Sequence, residues 1–276
     1  MFGPGRTLVV APPGDLASDG PRMGQFAAAM EPARAPHACS RRRIEHHAAM
    51  QKWPVGVHQL HPTIHVHVME GARPGPTALV QAGIHGDEVA GVHALSEFLE
   101  EGVRPESGRL LVVPVMNPRA YRARQRAAPG GLDMNRCFPG DASSEALEQR
   151  LARRFMDLVE LERPALVMTL HESLKRYHPA IPASFGQTVV YGVKPMPPII
   201  QHVVDRLNET RQSPYELWAP HHYPVATSST EVIVDRIGCV GVCVETWQGF
   251  EEARRVAMQR QTVRYFLEEM GILSRL

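Results

Sequence analysis

From residue 61 onward the apolar positions fall into runs whose period switches between two and about 3.6. Ile64, Val66 and Val68 alternate with His65 and His67, and the segment 71–76 turns into the apolar run 78–82, which predicts a hairpin entering a core. Val89, Val92, Leu95 and Leu99 keep helical spacing, and 110–115 is a short β-branched run. Leu147, Leu151, Phe155 and Leu158 share one face of a helix expected over 144–161, followed by a buried strand at 165–170. Further on come a strand at 188–193, a helix at 198–210, a strand at 240–245 and a closing helix at 253–270. This alternation predicts an α/β fold, a three-layer αβα arrangement around a central mixed, mostly parallel sheet.

Residues 1–50 break the pattern. They are rich in Gly, Pro, Ala and Arg, carry the basic run Arg41 to Arg43 and keep no period, so they read as a poorly structured leader. Met23, Met30 and Met50 lie within it as alternative starts. Residues 51–276 then form one catalytic domain, a size that supports a well-buried core.

Composition narrows the partners. Thirty basic and 29 acidic residues leave a net charge of +1, too little to gather nucleic acid or an anionic membrane surface. No apolar run approaches the roughly 20 residues of a membrane helix. The four cysteines, Cys39, Cys137, Cys239 and Cys243, lack the spacing of a disulfide framework, which suits a reducing cytoplasm.

The chemistry gathers at strand ends. Gln81-Ala-Gly-Ile-His-Gly-Asp-Glu88 places His85 and Glu88 three apart where an apolar strand gives way to a helix. An isolated His-x-x-Glu is commonly an ordinary surface pair, and the chain has 14 histidines. Gly83 and Gly86 distinguish this one, because they let the backbone turn sharply beside His85. A catalytic zinc usually takes three protein ligands, often two His and one carboxylate. Thr169-Leu-His171 follows a second buried strand, which in a parallel sheet brings His171 to the same carboxyl edge. Glu172, the pair His65 and His67, the pair His221 and His222, and Cys137 have simpler readings as a neighbouring acid, an exposed strand face, a loop pair and a core residue.

In order along the chain, Gly83-Ile-His85-Gly-Asp-Glu88, Asn117-Pro118, Asp133-Met-Asn135-Arg136, Leu170-His171 and Val244-Glu245-Thr246 resemble the M14-type zinc carboxypeptidase superfamily over residues 64–270. The phrase Asp133-Met-Asn-Arg-Cys-Phe-Pro-Gly140 is similar to the succinylglutamate desuccinylase and aspartoacylase branch. The resemblance implies one zinc per chain on His85, Glu88 and His171, and a substrate carboxylate held by Asn135 and Arg136. The side chains suit these roles, since an arginine can grip a carboxylate through two parallel hydrogen bonds. Glu245 closes an apolar strand, where partial desolvation would raise its pKa, and is the candidate base. The family places an oxyanion-stabilising arginine shortly before its Asn-Arg pair, and among Arg122, Arg124 and Arg126 we favour Arg126. A tyrosine that closes over substrate is usual in the carboxypeptidase branch, and Tyr223 lies at a plausible distance before Glu245, with a packing or surface role as the simpler reading.

These features predict a zinc metallohydrolase that cleaves an amide next to a carboxylate-bearing residue, in first place a metallocarboxypeptidase acting on peptides. The alternatives are an N-acyl-amino-acid deacylase of the desuccinylase/aspartoacylase kind and a non-catalytic peptide-binding module. The desuccinylase branch usually adds a C-terminal β domain, whereas this sequence ends about 30 residues after Glu245, which leads to the expectation of an open cleft. The segment 174–220 offers a lid instead.

Overall fold

The computed structural model describes residues 51–275, so the expected leader and Cys39 lie outside the described residues. Within them one sheet holds eight strands: β1 Gly56–His61, β2 Ile64–Glu70, β3 Arg73–Gln81, β4 Ser107–Val113, β5 Leu166–Ser173, β6 Thr188–Tyr191, β7 Ala219–His222 and β8 Val240–Trp247. Their spatial order is β1-β2-β4-β3-β5-β8-β6-β7. The central pairs β4–β3, β3–β5 and β5–β8 are parallel, as is β6–β7 at one edge, while β1–β2, β2–β4 and β6–β8 are antiparallel. The helices are α1 Ala90–Glu100, α2 Pro118–Ala123, α3 Leu147–Glu162, α4 Pro198–Asn208, α5 Ser229–Ile237 and α6 Glu252–Glu269.

The two-residue period of the strands sorts the core into two halves. Ala78 and Val80 of β3, Met168 and Leu170 of β5, and Val242 and Val244 of β8 pack against α1, α4 and α6. Leu79, Leu111 and Val167 face the other way, towards Leu151, Phe155 and Val159 of α3 and Ile233 of α5. Fully burying each such side chain stabilises the fold by about 1.5–3 kcal/mol before entropy is counted. The three layers expected from the sequence are those observed.

Several expectations need correction. The segment 64–82 is not a hairpin, because β4 lies between β2 and β3. Every residue from Ala78 to Gln81 is buried on both faces, so β3 requires a neighbour on each side, whereas β2 buries only alternate residues and suits a place nearer the edge. Gly71 makes the crossing over the head of β4: its N–H donates to the Gly108 carbonyl at 2.9 Å, and a Cβ there would lie 2.4 Å from the Glu106 carbonyl carbon. The hairpin partner of β2 is β1, whose only buried residue is Leu60. His171 and Glu245 sit within β5 and β8, which run two residues beyond each of them. The segment 174–220 contributes β6, α4 and the start of β7, and His221 and His222 are on strand β7, not in a loop. No helix of the described residues is long and apolar enough to cross a membrane.

Candidate active site

The loop from β3 to α1 is fixed by two glycines. Gly83 has φ +64°, in the left-handed region. Gly86 donates its N–H to the Gln125 carbonyl at 2.9 Å, and a Cβ on it would lie 2.0 Å from the Ala120 carbonyl. This close approach seats the loop on the end of α2, whose start is capped by Asn117 accepting from the Ala120 N–H at 3.1 Å. His85 and Glu88 therefore point towards the carboxyl ends of β3 and β5, where His171 emerges.

The three side chains converge. Glu88 bridges the histidines, with Oε1 2.8 Å from His85 Nδ1 and Oε2 2.7 Å from His171 Nδ1. One potential ligand atom from each residue lies within 4.8 Å of the other two. His85, Glu88 and His171 are only 3, 7 and 3% exposed. Burial works against charge on His85, yet the Glu88 carboxylate and the bonds to Asp133 and Glu88 raise its pKa to about 9. Burial keeps the pKa of His171 below its ordinary value despite Glu88. Burial would raise Glu88, but the two histidines outweigh it and hold the carboxyl well below the usual range. Two imidazoles and one carboxylate, buried and mutually in reach, fit the donor set of a catalytic zinc. The other ring nitrogen of His85 lies 3.2 Å from Asp133 Oδ1, the kind of carboxylate contact that fixes a ligand's tautomer and orientation.

Glu245 is the register partner of His171 across β5 and β8, so the two lie side by side at one strand spacing. Burial first, and then the charge of Glu88, push its carboxyl up to about 8, while Cys243 Sγ lies 3.6 Å from its Oε1. Of the three candidate arginines only Arg126 reaches this group: its Nη1 is 3.6 Å from Glu88 Oε1, and its Nε and Nη2 each lie 3.0 Å from Asp133 Oδ2. Arg124 instead covers the ring of Tyr121, and Arg122 borders a separate cleft beside His65 and His67.

Asn135 is held from below. Its Oδ1 accepts the Ser229 N–H at 3.0 Å at the start of α5. A buried polar chain continues beneath it, with Gln81 Nε2 donating to Ser229 Oγ and to Thr169 Oγ1, both at 2.9 Å, and Thr169 bonded to Thr230 at 2.8 Å. With its carbonyl committed, Asn135 has its amide N–H groups left to offer. Arg136 is exposed, donates to the Asn135 backbone carbonyl at 2.9 Å, and has no acidic partner among the described residues. Tyr223 is 43% exposed and packs edge-on against Phe185, with ring centres 4.9 Å apart.

All eight residues singled out from the sequence as site residues line one cavity of about 480 Å³. Asp133 was not among them, although its acceptance of the Asn135 N–H at 3.0 Å is a recognisable Asp-x-Asn turn. Glu172, read as a neighbouring acid, is buried, accepts the Ala90 N–H at 3.0 Å and pairs with Arg255, tying the start of α1 and α6 to the end of β5.

Residues 74–184 match the model of the succinylglutamate desuccinylase/aspartoacylase catalytic domain family. That segment contains His85, Glu88, Arg126, Asn135, Arg136 and His171 and stops before Tyr223 and Glu245. Over 78 residues the chain is 44% identical to an N-alpha-acetyl-L-2,4-diaminobutyric acid deacetylase of Halomonas elongata, covering 27% of this chain and 22% of that protein. A succinylglutamate desuccinylase/aspartoacylase structure from Rhodobacter sphaeroides superposes with a TM-score of 0.59 at 27% identity over 77% of this chain and 60% of that one. The fold is also that of the tripeptide-bound cell shape determinant Csd4 of Helicobacter pylori, with a TM-score of 0.68 at 20% identity over 76% of this chain and 56% of that one. The chain thus spans less than two thirds of the length of each of these relatives. The resemblance carried by the sequence motifs, to the M14-type superfamily and its desuccinylase/aspartoacylase branch, is borne out.

Proposed function

We propose that this chain, similar over residues 74–184 to the succinylglutamate desuccinylase/aspartoacylase catalytic domain, is a zinc-dependent hydrolase of an amide next to a carboxylate-bearing amino acid. The observation that supports it most is the convergence in one cavity of a buried His-Glu-His donor set, a carboxyl with a raised pKa and an Asn-Arg pair with free donors. His85, Glu88 and His171 would hold the metal. When bound, zinc polarises a carbonyl and brings water towards ionisation near neutral pH.

The remaining work falls to the protein. Asn135 and Arg136 anchor the substrate carboxylate and so fix where the scissile amide lies. Glu245 takes the proton from the attacking water and returns it to the leaving nitrogen as the carbon–nitrogen bond breaks. Arg126 donates to the oxygen that gains charge in the tetrahedral species. Asp133 holds both His85 and Arg126 and keeps these two in register.

Two substrate classes share this machinery. The deacetylase relative and the desuccinylase/aspartoacylase similarity favour removal of an acyl group from an N-acyl amino acid. Tyr223 on the cavity wall and the room in that cavity favour a carboxypeptidase reading, the one preferred from sequence. Zinc-loaded protein would be assayed against short peptides and N-acyl amino acids, with products identified by mass spectrometry. Free acyl acid supports the deacylase and stepwise loss of C-terminal residues supports the carboxypeptidase. Silence on both panels, with zinc bound, would reject the hydrolase.

A further inference from the structure

The same cavity holds a carboxylate with no part in the chemistry above. Glu231 lies in the first turn of α5, with its N–H donating to Ser228 Oγ at 3.3 Å. Ser228-x-x-Glu231 has the spacing of a capping box, in which the glutamate folds back onto the Ser228 N–H. Here that N–H is already given to the Val225 carbonyl at 2.9 Å, so the carboxylate is released from capping. It lies instead over Gly192, just past the end of β6, where a Cβ would stand 1.9 Å from Glu231 Oε2. Both residues line the cavity.

Its position relative to the Asn-Arg pair is fixed. Ser229, which donates its N–H to Asn135, is two residues before Glu231 on the same helix, a rise of about 3 Å. A carboxylate acceptor therefore stands within one helical turn of the residue that positions the substrate's anchored carboxylate. Burial, then the nearby Asp235, raise the pKa of Glu231; the neighbouring His222 and a hydrogen bond from the Val225 N–H work the other way and are outweighed. A half-buried anion on a cavity wall, with an imidazole beside it but no lysine or arginine paired to it, is complementary to a cationic guest.

We infer that Glu231 selects substrates whose carboxylate-bearing amino acid carries a cationic side chain, an amine or guanidinium that reaches the α5 wall while the carboxylate rests on Asn135 and Arg136. This inference rests on the proposed anchoring of that carboxylate. Glu231 is a specificity residue and takes no part in proton transfer.

The test measures kcat/KM of the zinc-loaded chain on Nα-acetyl derivatives and glycyl dipeptides of lysine and ornithine. Their neutral isosteres norleucine and norvaline, and glutamate, complete the set. A charge-assisted contact here should favour the cationic member over its isostere by about tenfold or more. Glu231→Gln should bring that ratio close to one, and Glu231→Lys should turn the preference towards glutamate. In parallel, calorimetry would compare binding of free lysine and norleucine to wild type and Glu231→Gln, a readout that needs no turnover. Turnover without a cation preference, or a preference kept in Glu231→Gln, overturns the role of Glu231 and leaves the hydrolase intact. Inertness on every substrate removes the hydrolase reading, and the calorimetric preference and its loss in Glu231→Gln then decide the cation site separately.

Discussion

Removing the Asp133 side chain should loosen the metal centre without unfolding the domain. Its carboxylate makes three sets of contacts: Oδ1 with His85 Nε2 at 3.2 Å, Oδ1 with the Asn135 N–H at 3.0 Å, and Oδ2 with Arg126 at 3.0 Å. The Arg126 pair is solvent-accessible, with Arg126 half exposed, so it contributes only about 0.5 kcal/mol to stability. The contact with His85 matters more for function. Carboxylates that orient a ligating histidine typically change metal affinity 10- to 100-fold, or about 1.4–2.7 kcal/mol. Asp133→Ala should weaken zinc binding by that factor in a chelator-competition titration and shift the thermal midpoint by only a few degrees. Asp133→Asn keeps one oxygen for His85 but turns a donor towards Arg126, so it should retain most of the zinc affinity and lose turnover through Arg126. Unchanged zinc affinity in Asp133→Ala would refute the orienting role.

Three further expectations concern residues nearer the chemistry or beneath it. Glu245→Gln should retain zinc while kcat falls about 10²- to 10⁴-fold, and near wild-type turnover by the zinc-loaded variant would remove Glu245 from proton transfer. Arg136→Ala should raise KM about 10- to 100-fold for substrates with a free carboxylate and leave their amidated counterparts little changed; equal losses on both would speak against anchoring. Gly86→Ala places a methyl 2.0 Å from the Ala120 carbonyl, which forces the loop away from α2. It should cost about 1–3 kcal/mol or more, read as a fall of several degrees in the melting temperature together with weaker zinc binding, and a variant with wild-type values for both would show that the close approach is dispensable.

The legible parts of the fold were those whose burial leaves a period. The interior strands β3, β5 and β8 and the helices α1, α3, α4 and α6 could be read because apolar side chains mark their buried faces. The edge strands were not: β1 buries one residue, and β7 contains Pro220 and two histidines, with none of its four residues buried. The pairing error at β2 and β3 had a different source, since sequence proximity suggests a hairpin while two-sided burial requires a crossover. Among the site residues, His85, Glu88 and His171 stood out because glycines and strand ends surrounded them. Arg126 was favoured over Arg122 and Arg124 from the sequence on little more than its nearness to Asn135, and in three dimensions Asp133 draws it in. Glu231 carried no signal that singled it out in the sequence, and its place on the cavity wall emerges only with the fold.

The register of β5 on β8 makes the gap between His171 and Glu245 a dimension of the sheet rather than of any loop. Neighbouring strands keep a spacing of about 4.8 Å, and their side chains alternate faces, so the ladder works as a ruler with two marks. Loops around the cavity can lengthen or shorten without altering that reading. A one-residue insertion or deletion in β8 before Glu245, with the ladder otherwise kept, would turn its carboxylate to the opposite layer and leave an apolar neighbour or a threonine beside His171. Variation in this scaffold should therefore collect in the walls that choose the substrate, while the pair that would perform the hydrolysis is inherited as one unit.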